Sequence, residues 1–328
     1  MKKGLMIILI ILLVGLLSIF VGNCAEPKGE IVVYSASGPE ITNPLYELFN
    51  VKYPGIKFVT VYAGTPELFA RFAAEKDNPA ADVTFGGPPI IYDKEADLFE
   101  PYVHPEREYF ATYDPNNIWQ PFTIFCQPLM LNKKLIKPEE YPKTVKEVLD
   151  NGKKWLDRGG IALADPDKSS TGWTIVSGIT SAYDWNFIEN LLPYCKVTPG
   201  SDAMFSAIKD GEACIGWINE DLGIKWVNEG IPVELIYPTD VVTIQMDCYG
   251  LAKNGPNPEL AKLFVNFLGS KEAHIITVDI IKRRSIRKDV DPPGDLPALG
   301  DLKLFYPSEP REIVVAKFSA LQQKIKQK

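Results

Sequence analysis

Three short apolar runs constrain this chain most, each closing on a turn of small or proline residues and followed by apolar residues at helical spacing. The first, residues 30–34, ends in Ser35-Ala36-Ser37-Gly38-Pro39. Ile41, Leu45, Leu48 and Phe49 then recur at helical intervals until Tyr53-Pro54-Gly55 stops them. Residues 56–62 alternate Ile, Phe, Val and Val with other residues, as a strand does. Gly64-Thr65-Pro66 follows, read as a turn glycine, an N-cap and a proline at the first helical position, before Leu68, Phe69, Phe72 and Ala73 form one apolar face. The third run, 81–85, ends in Gly86-Gly87-Pro88-Pro89. Repeated strand–turn–helix units with apolar strands predict a mostly parallel sheet covered on both faces.

The pattern then breaks and restarts. Residues 120–132 form one long extended stretch, and a second α/β group follows it. Residues 160–164 read as a strand and Ser169-Ser170-Thr171-Gly172 as a polar turn, with Ile175, Val176 and Ile179 opening a helical face. Asp184 and Ser201 read as N-caps, and residues 214–218 as a strand ending at Asn219-Glu220-Asp221. A second extended stretch, 241–252, precedes a helix with Asn257 as cap, Pro258 at its start and Gly269 at its end. Two α/β groups linked by two extended crossings predict an α/β fold of two lobes joined by a two-strand hinge, with strand-end loops facing each other across a cleft. The expected boundaries are 30–121 for lobe one, 122–250 for lobe two, 251–290 for a return segment to lobe one and 291–328 for a C-terminal segment that docks on lobe two.

Composition excludes several classes. Of 328 residues, 46% are hydrophobic and 23% charged, which argues against disorder, collagen-like repeats and a polytopic membrane protein. The 35 basic and 42 acidic residues give −7, with no basic run interleaved with aromatics, so nucleic acid is not an expected partner.

The N-terminus has its own logic. Met1-Lys2-Lys3 precedes an apolar run over residues 5–21, the pattern of an export signal spanning 1–23. Val21-Gly22-Asn23-Cys24 resembles a bacterial lipobox, which makes Cys24 the lipidation site and 24–29 a tether; Asn23 departs from the small residue usual before that cysteine. An uncleaved anchor helix is the alternative. Both place the rest of the chain outside the cytoplasm. Cys126, Cys195, Cys214 and Cys248 remain, an even number compatible with disulfides or with buried thiols. With no C-x-x-C pair and only His104 and His274 as imidazoles, neither a metal nor a cofactor is expected.

Motifs for catalysis are missing. The chain has no G-x-S-x-G, H-E-x-x-H or G-x-x-x-x-G-K-[ST], and an extracellular hydrolase is the weaker alternative to a binding protein. Asp165-Pro166-Asp167-Lys168-Ser169 lacks the glycine and closing glutamate of a calcium loop, because Ser170 and Val176 stand there.

Several stretches resemble one family in its own order. They are residues 31–37 (IVVYSAS), 62–71 (YAGTPELFAR), 81–87 (ADVTFGG), 163–172 (LADPDKSSTG), 211–217 (GEACIGW), 253–268 and 283–290. Together they are similar to the extracellular solute-binding proteins of ABC importers, in the group that includes ferric-ion, thiamine, aminoethylphosphonate and sugar-phosphate binders. The resemblance implies a binding protein that closes around one small solute and delivers it to a membrane permease; a monomer is expected. It also implies that ferric members use paired tyrosines just after the strand at 214–218, where this chain has Asn219-Glu220-Asp221. A ferric-ion protein with a synergistic anion and a thiamine-type cation binder are therefore the alternatives to an anion binder.

The case for an anion rests on helix N-termini, which present unpaired N–H groups at the positive end of the helix dipole. The turns carrying Ser35 and Ser37, Gly64 and Thr65, Gly86 and Gly87, and Ser169, Ser170, Thr171 and Gly172 each lie between a strand and a helix. The hydroxyls of Ser35, Ser37, Thr65, Ser170 and Thr171 add donors, unless Thr65 and Ser170 only cap their own helices. Asn219, Glu220 and Asp221 either meet a ligand's ammonium group or bridging cation, or cap the following helix. Arg284, with Arg283 and Arg287, can reach an anion, although a solvated basic surface is expected for at least two of the three. Trp173 and Tyr249 are candidates for stacking on a ligand, and Trp217 for the core.

Overall fold

The computed structural model describes residues 27–294, 296–307 and 309–327. Two sheets organise them. In the first, β1 (Gly29–Ser35) lies between β2 (Ile56–Tyr62) and β3 (Val83–Phe85), all parallel. Beyond β3 the sheet turns antiparallel, through β10 (Val242–Leu251), β4 (Gln120–Gln127) and β11 (Arg284–Ser285), while β12 (Leu304–Phe305) pairs with the start of β10. The second sheet repeats the plan. There β6 (Ile161–Ala164) lies parallel to β7 (Cys195–Thr198) and β8 (Ile215–Trp217), and β5 (Leu129–Asn132) runs antiparallel to β8 and to β9 (Val233–Ile236). The mixed sheets reflect chain path: parallel neighbours need helical crossovers, whereas the long extended stretches enter beside them in the opposite direction.

Several helices follow their sequence signals. Helix Pro39–Lys52 starts on proline and buries Ile41, Leu45 and Phe49. Helix Thr65–Ala74 buries Leu68, Phe69 and Phe72. Asp184 caps helix Trp185–Leu191 by accepting from the Phe187 N–H. Two caps differ from expectation. Gly64 and Gly200, not Thr65 and Ser201, occupy the cap positions, so Thr65 and Ser201 are the first helical residues.

The extended crossings lie in the sheets. Only Pro128 separates β4 from β5, and residues 237–241 connect β9 to β10. Strands β4 and β10 therefore belong to the first sheet, whereas the 122–250 boundary had given them to the second lobe; β10 pairs with β3, and β4 with β10. Helices Pro258–Leu268 and Lys271–Asp279 pack on the first sheet through Phe264, Val265, Leu268 and Ala273. Helix Arg311–Lys326 packs on the second core through Val314 and Phe318. Among the described residues, no helix is long and apolar enough to cross a membrane. Cys126, Cys195, Cys214 and Cys248 are free, and burial pushes the Cys126 and Cys214 thiols up to about 12. Cys24 and the export-signal residues lie outside the described part of the chain.

Candidate functional site

A cavity of about 500 Å³ opens between the two lobes. From the first lobe it is lined by the turn at Ser37, by Gly64 and Thr65, and by Gly87. From the second it is lined by Ser169, Ser170, Thr171, Ser201, Asn219 and Asp221. The carboxyl ends of β1, β2, β3, β6 and β8 all lead into these turns, which explains why residues so far apart in sequence meet. The lobes are close at the rim: a Cβ at Gly64 would stand 3.3 Å from the Lys168 carbonyl oxygen.

Four hydroxyls dominate the chemistry. Ser37, Thr65, Ser170 and Thr171 are each no more than 7% exposed, and their hydroxyls have no hydrogen-bond partner among the described residues. Two come from each lobe. They line the cavity, where a ligand can take up their free hydrogen-bonding capacity. Ser169, by contrast, is spent on capping, its Oγ accepting from the Gly172 N–H at 3.1 Å. The helix it caps, Ser170–Ala182, has no acidic residue in its first turn, so nothing within that turn offsets its positive end.

Close approach explains two glycines. A Cβ at Gly172 would overlap the Ala164 carbonyl, so this glycine lets its helix sit tightly against the end of β6. Gly87 has φ +89°, and a Cβ there would also strike Thr65 Cγ2.

The floor carries charge. Arg283 donates from Nε to Asp221 Oδ2 at 2.8 Å and from Nη1 to Asp247 Oδ2 at 2.6 Å, with its guanidinium 4.4 Å from the Phe125 ring centre. Burial opposes the Arg283 charge, yet the two carboxylates hold its pKa above the ordinary guanidinium value. Burial also raises the Asp221 carboxyl above its usual range, against the pull of Arg283. Asp221 Oδ1 has no hydrogen-bond partner among the described residues. Glu40, Glu47, Asp202, Asp221 and Asp247 face only Lys225 and Arg283 around this cavity, so its lining is acidic on balance.

The remaining predicted site residues lie elsewhere. Ser35 is off this cavity, donating to the Ser37 carbonyl and lining an adjoining chamber. Gly86 and Gly172 shape their turns without lining the cavity. Glu220 and Arg284 form a fully enclosed pair behind the floor. Tyr249 is buried in the first core, and Trp173 and Trp217 in the second. The solvated basic surface expected of the arginines does not exist. All three are buried, Arg287 being held by Asp289, Glu106 and the Gly269 carbonyl. Sequence reasoning missed Phe125, Gln245 and Asp247; the last two left a signal, the polar pair at i and i+2 inside the apolar stretch 241–252.

The family model for bacterial extracellular solute-binding proteins matches residues 34–275. The chain belongs to that family. This solute-binding protein is 31% identical over 278 residues to an uncharacterized protein of Haemophilus influenzae, covering 77% of this chain and 76% of that one. It is 28% identical to iron uptake protein A1 of Synechocystis (74% and 72% covered), and 24% identical to a putative 2-aminoethylphosphonate-binding periplasmic protein of Salmonella typhi (84% and 85% covered). In fold it matches the periplasmic binding protein AfuA of Actinobacillus pleuropneumoniae, solved with fructose-6-phosphate, at a TM-score of 0.79 and 22% identity over 91% of this chain and 98% of that one. The two-lobed α/β fold of an ABC-importer solute-binding protein is thereby established, and several of the proteins it resembles are binding proteins by name.

Proposed function

We propose that this solute-binding protein captures a small anionic solute, a phosphate ester, phosphonate or carboxylate, in the inter-lobe cavity and presents it to its permease. One observation carries the reading: four hydroxyls without a partner among the described residues, two from each lobe, stand on helix-initiating turns around one cavity. Lobe closure brings both pairs onto the same oxygens, which a shift in the scattering profile on ligand addition would register. Cys24 tethers the protein to the membrane outside the cytoplasm, and metabolic labelling with a fatty acid tests that anchor. Native mass spectrometry of protein purified without refolding tests the solute. A co-purified species bearing a phosphoryl, phosphonyl or carboxyl group is expected; a bare ferric ion or a solute with no acidic group contradicts the reading.

A cationic head group is the second reading. It is favoured by the acidic balance of the lining and by the free Asp221 Oδ1. Iron has less support, because the turn after β8 offers Asn219, Glu220 and Asp221 where the resemblance places paired phenolates in ferric members.

A further inference from the structure

Helix Arg311–Lys326 docks on the second core through Val314 and Phe318, and its first residue makes contacts that this docking does not need. Arg311 reaches the loop between β6 and helix Ser170–Ala182. There its Nη2 donates to the Pro166 carbonyl at 2.9 Å and to the Asp167 carbonyl at 2.7 Å. Neither carbonyl accepts a backbone N–H among the described residues. The loop's own bonds go elsewhere: the N–H groups of Lys168 and Ser169 return to the Asp165 carbonyl, and that of Asp167 to Asp165 Oδ1. Arg311 therefore fills the gap that the loop leaves in its own hydrogen bonding.

The arginine stands apart in a second way. Arg283, Arg284 and Arg287 each meet carboxylates, whereas Arg311 makes no ion pair among the described residues, and its Nε is buried without an acceptor. Burial holds its pKa below the ordinary guanidinium value. A half-buried cation resting on carbonyls alone costs stability, so docking of the helix does not account for it. The sequel of the loop does. Lys168 follows, its carbonyl 3.3 Å from where a Cβ on Gly64 of the first lobe would stand, and then Ser169, Ser170 and Thr171 on the cavity wall.

We propose that Arg311 is a positioning residue for the solute turn: by fixing the carbonyls of Pro166 and Asp167, it sets where Ser170 and Thr171 stand in the cavity. Its effect on affinity rests on the anion reading above, whereas its effect on the turn does not.

Hydrogen–deuterium exchange on the ligand-free full chain, followed by calorimetric titration with methyl phosphate, compares the wild type with Arg311→Met. This variant keeps the aliphatic stem and the apolar anchors of the helix. The N–H groups of Ser169, Gly172 and Trp173, bonded to the Asp165 carbonyl, Ser169 Oγ and the Ser169 carbonyl, report on the turn. They are expected to exchange about tenfold faster in the variant, the effect of losing hydrogen bonds from a charged donor, while amides of residues 315–326 exchange as before. Affinity for methyl phosphate should fall about tenfold. Arg311→Lys, which keeps the charge and a donor, should fall between the other two on both measures. A turn that exchanges as in the wild type in both variants, or a C-terminal helix that loosens in its place, overturns the proposal. So does a loosened turn that binds methyl phosphate as tightly as before. A wild-type protein that binds no methyl phosphate sinks the anion reading instead, and the exchange rates then decide the role of Arg311 by themselves.

Discussion

Arg284, in the first sheet, grips Glu220, on the second lobe, through two parallel hydrogen bonds of 2.8 and 3.0 Å, and the glutamate is fully buried. Glu220 also accepts from the Cys126 N–H at 2.8 Å and from Tyr237 Oη at 2.9 Å, so its carboxylate is saturated. Next to it, Arg283 spans the same boundary to Asp221. Two consecutive arginines therefore tie two consecutive acids across the junction between the lobes, close to where β4 leaves for β5.

Removing one partner of the enclosed pair strands a buried charge. Glu220→Gln or Arg284→Met is expected to lower unfolding free energy by about 3–5 kcal/mol, read from urea melts. The double variant Glu220→Gln with Arg284→Met should lose less than the sum of the two single losses, because no charge is then left unpaired. Additive losses would show that the two groups act independently.

The cavity hydroxyls should behave in the opposite way. Thr65→Val and Thr171→Val delete hydroxyls that have no protein partner, so stability without ligand should change by less than about 0.5 kcal/mol. Affinity for the solute should fall about three- to tenfold for each, the worth of one hydrogen bond. Calorimetry showing unchanged affinity in both variants would remove these hydroxyls from the site.

Close packing at the start of helix Ser170–Ala182 gives a further test. Gly172→Ala forces a methyl against the Ala164 carbonyl. Thermal melts should show a loss of about 1–3 kcal/mol. A neutral outcome would mean that the helix can retreat from β6 at no cost.

The turns were legible because strand ends, glycines and hydroxyl residues leave local signals. Ser37, Thr65, Ser170 and Thr171 reach the cavity through local rules alone: an apolar strand stops, a helix starts, and its first turn faces the strand end. Two α/β groups also predicted two lobes. Tertiary pairing was not legible. Nothing local to Arg283 or Arg284 shows that Asp221 and Glu220, some sixty residues earlier, arrive to neutralise them, so a buried network passed for a basic surface. Gln245 and Asp247 reach the floor only because β10 lies antiparallel beside β3 and β4, and that register is set by long-range contacts. Thr65 and Ser201 resemble N-caps in sequence, yet a glycine one position earlier takes the cap and frees each of them to be the first helical residue.

Acid should weaken the fold through His274. Its ring is fully buried, Nδ1 meets Ser285 Oγ at 2.9 Å, and Nε2 has no partner among the described residues. Burial, helped by the positive charge of Arg287, lowers its pKa from 6.5 to about 3. The folded state therefore keeps the ring neutral, and the stability this confers is fully present above pH 6.5 and lost as pH falls toward 3. A tenfold change in proton affinity is worth about 1.4 kcal/mol, so the whole interval sets an upper bound of about 5 kcal/mol. The melting temperature of the wild-type protein should drop through that window, and His274→Gln should flatten the drop. Identical pH profiles for the two proteins would assign the acid sensitivity to other groups.

An acidic group of the solute should sit among hydroxyls from both lobes. A crystal structure of the protein carrying its co-purified solute tests it most directly. Oxygens of one phosphoryl, phosphonyl or carboxyl group within hydrogen-bond distance of Ser170 or Thr171 on one side and Ser37 or Thr65 on the other is the predicted result. Solute density whose acidic oxygens contact neither pair, or which lies outside the space between the lobes, would contradict it.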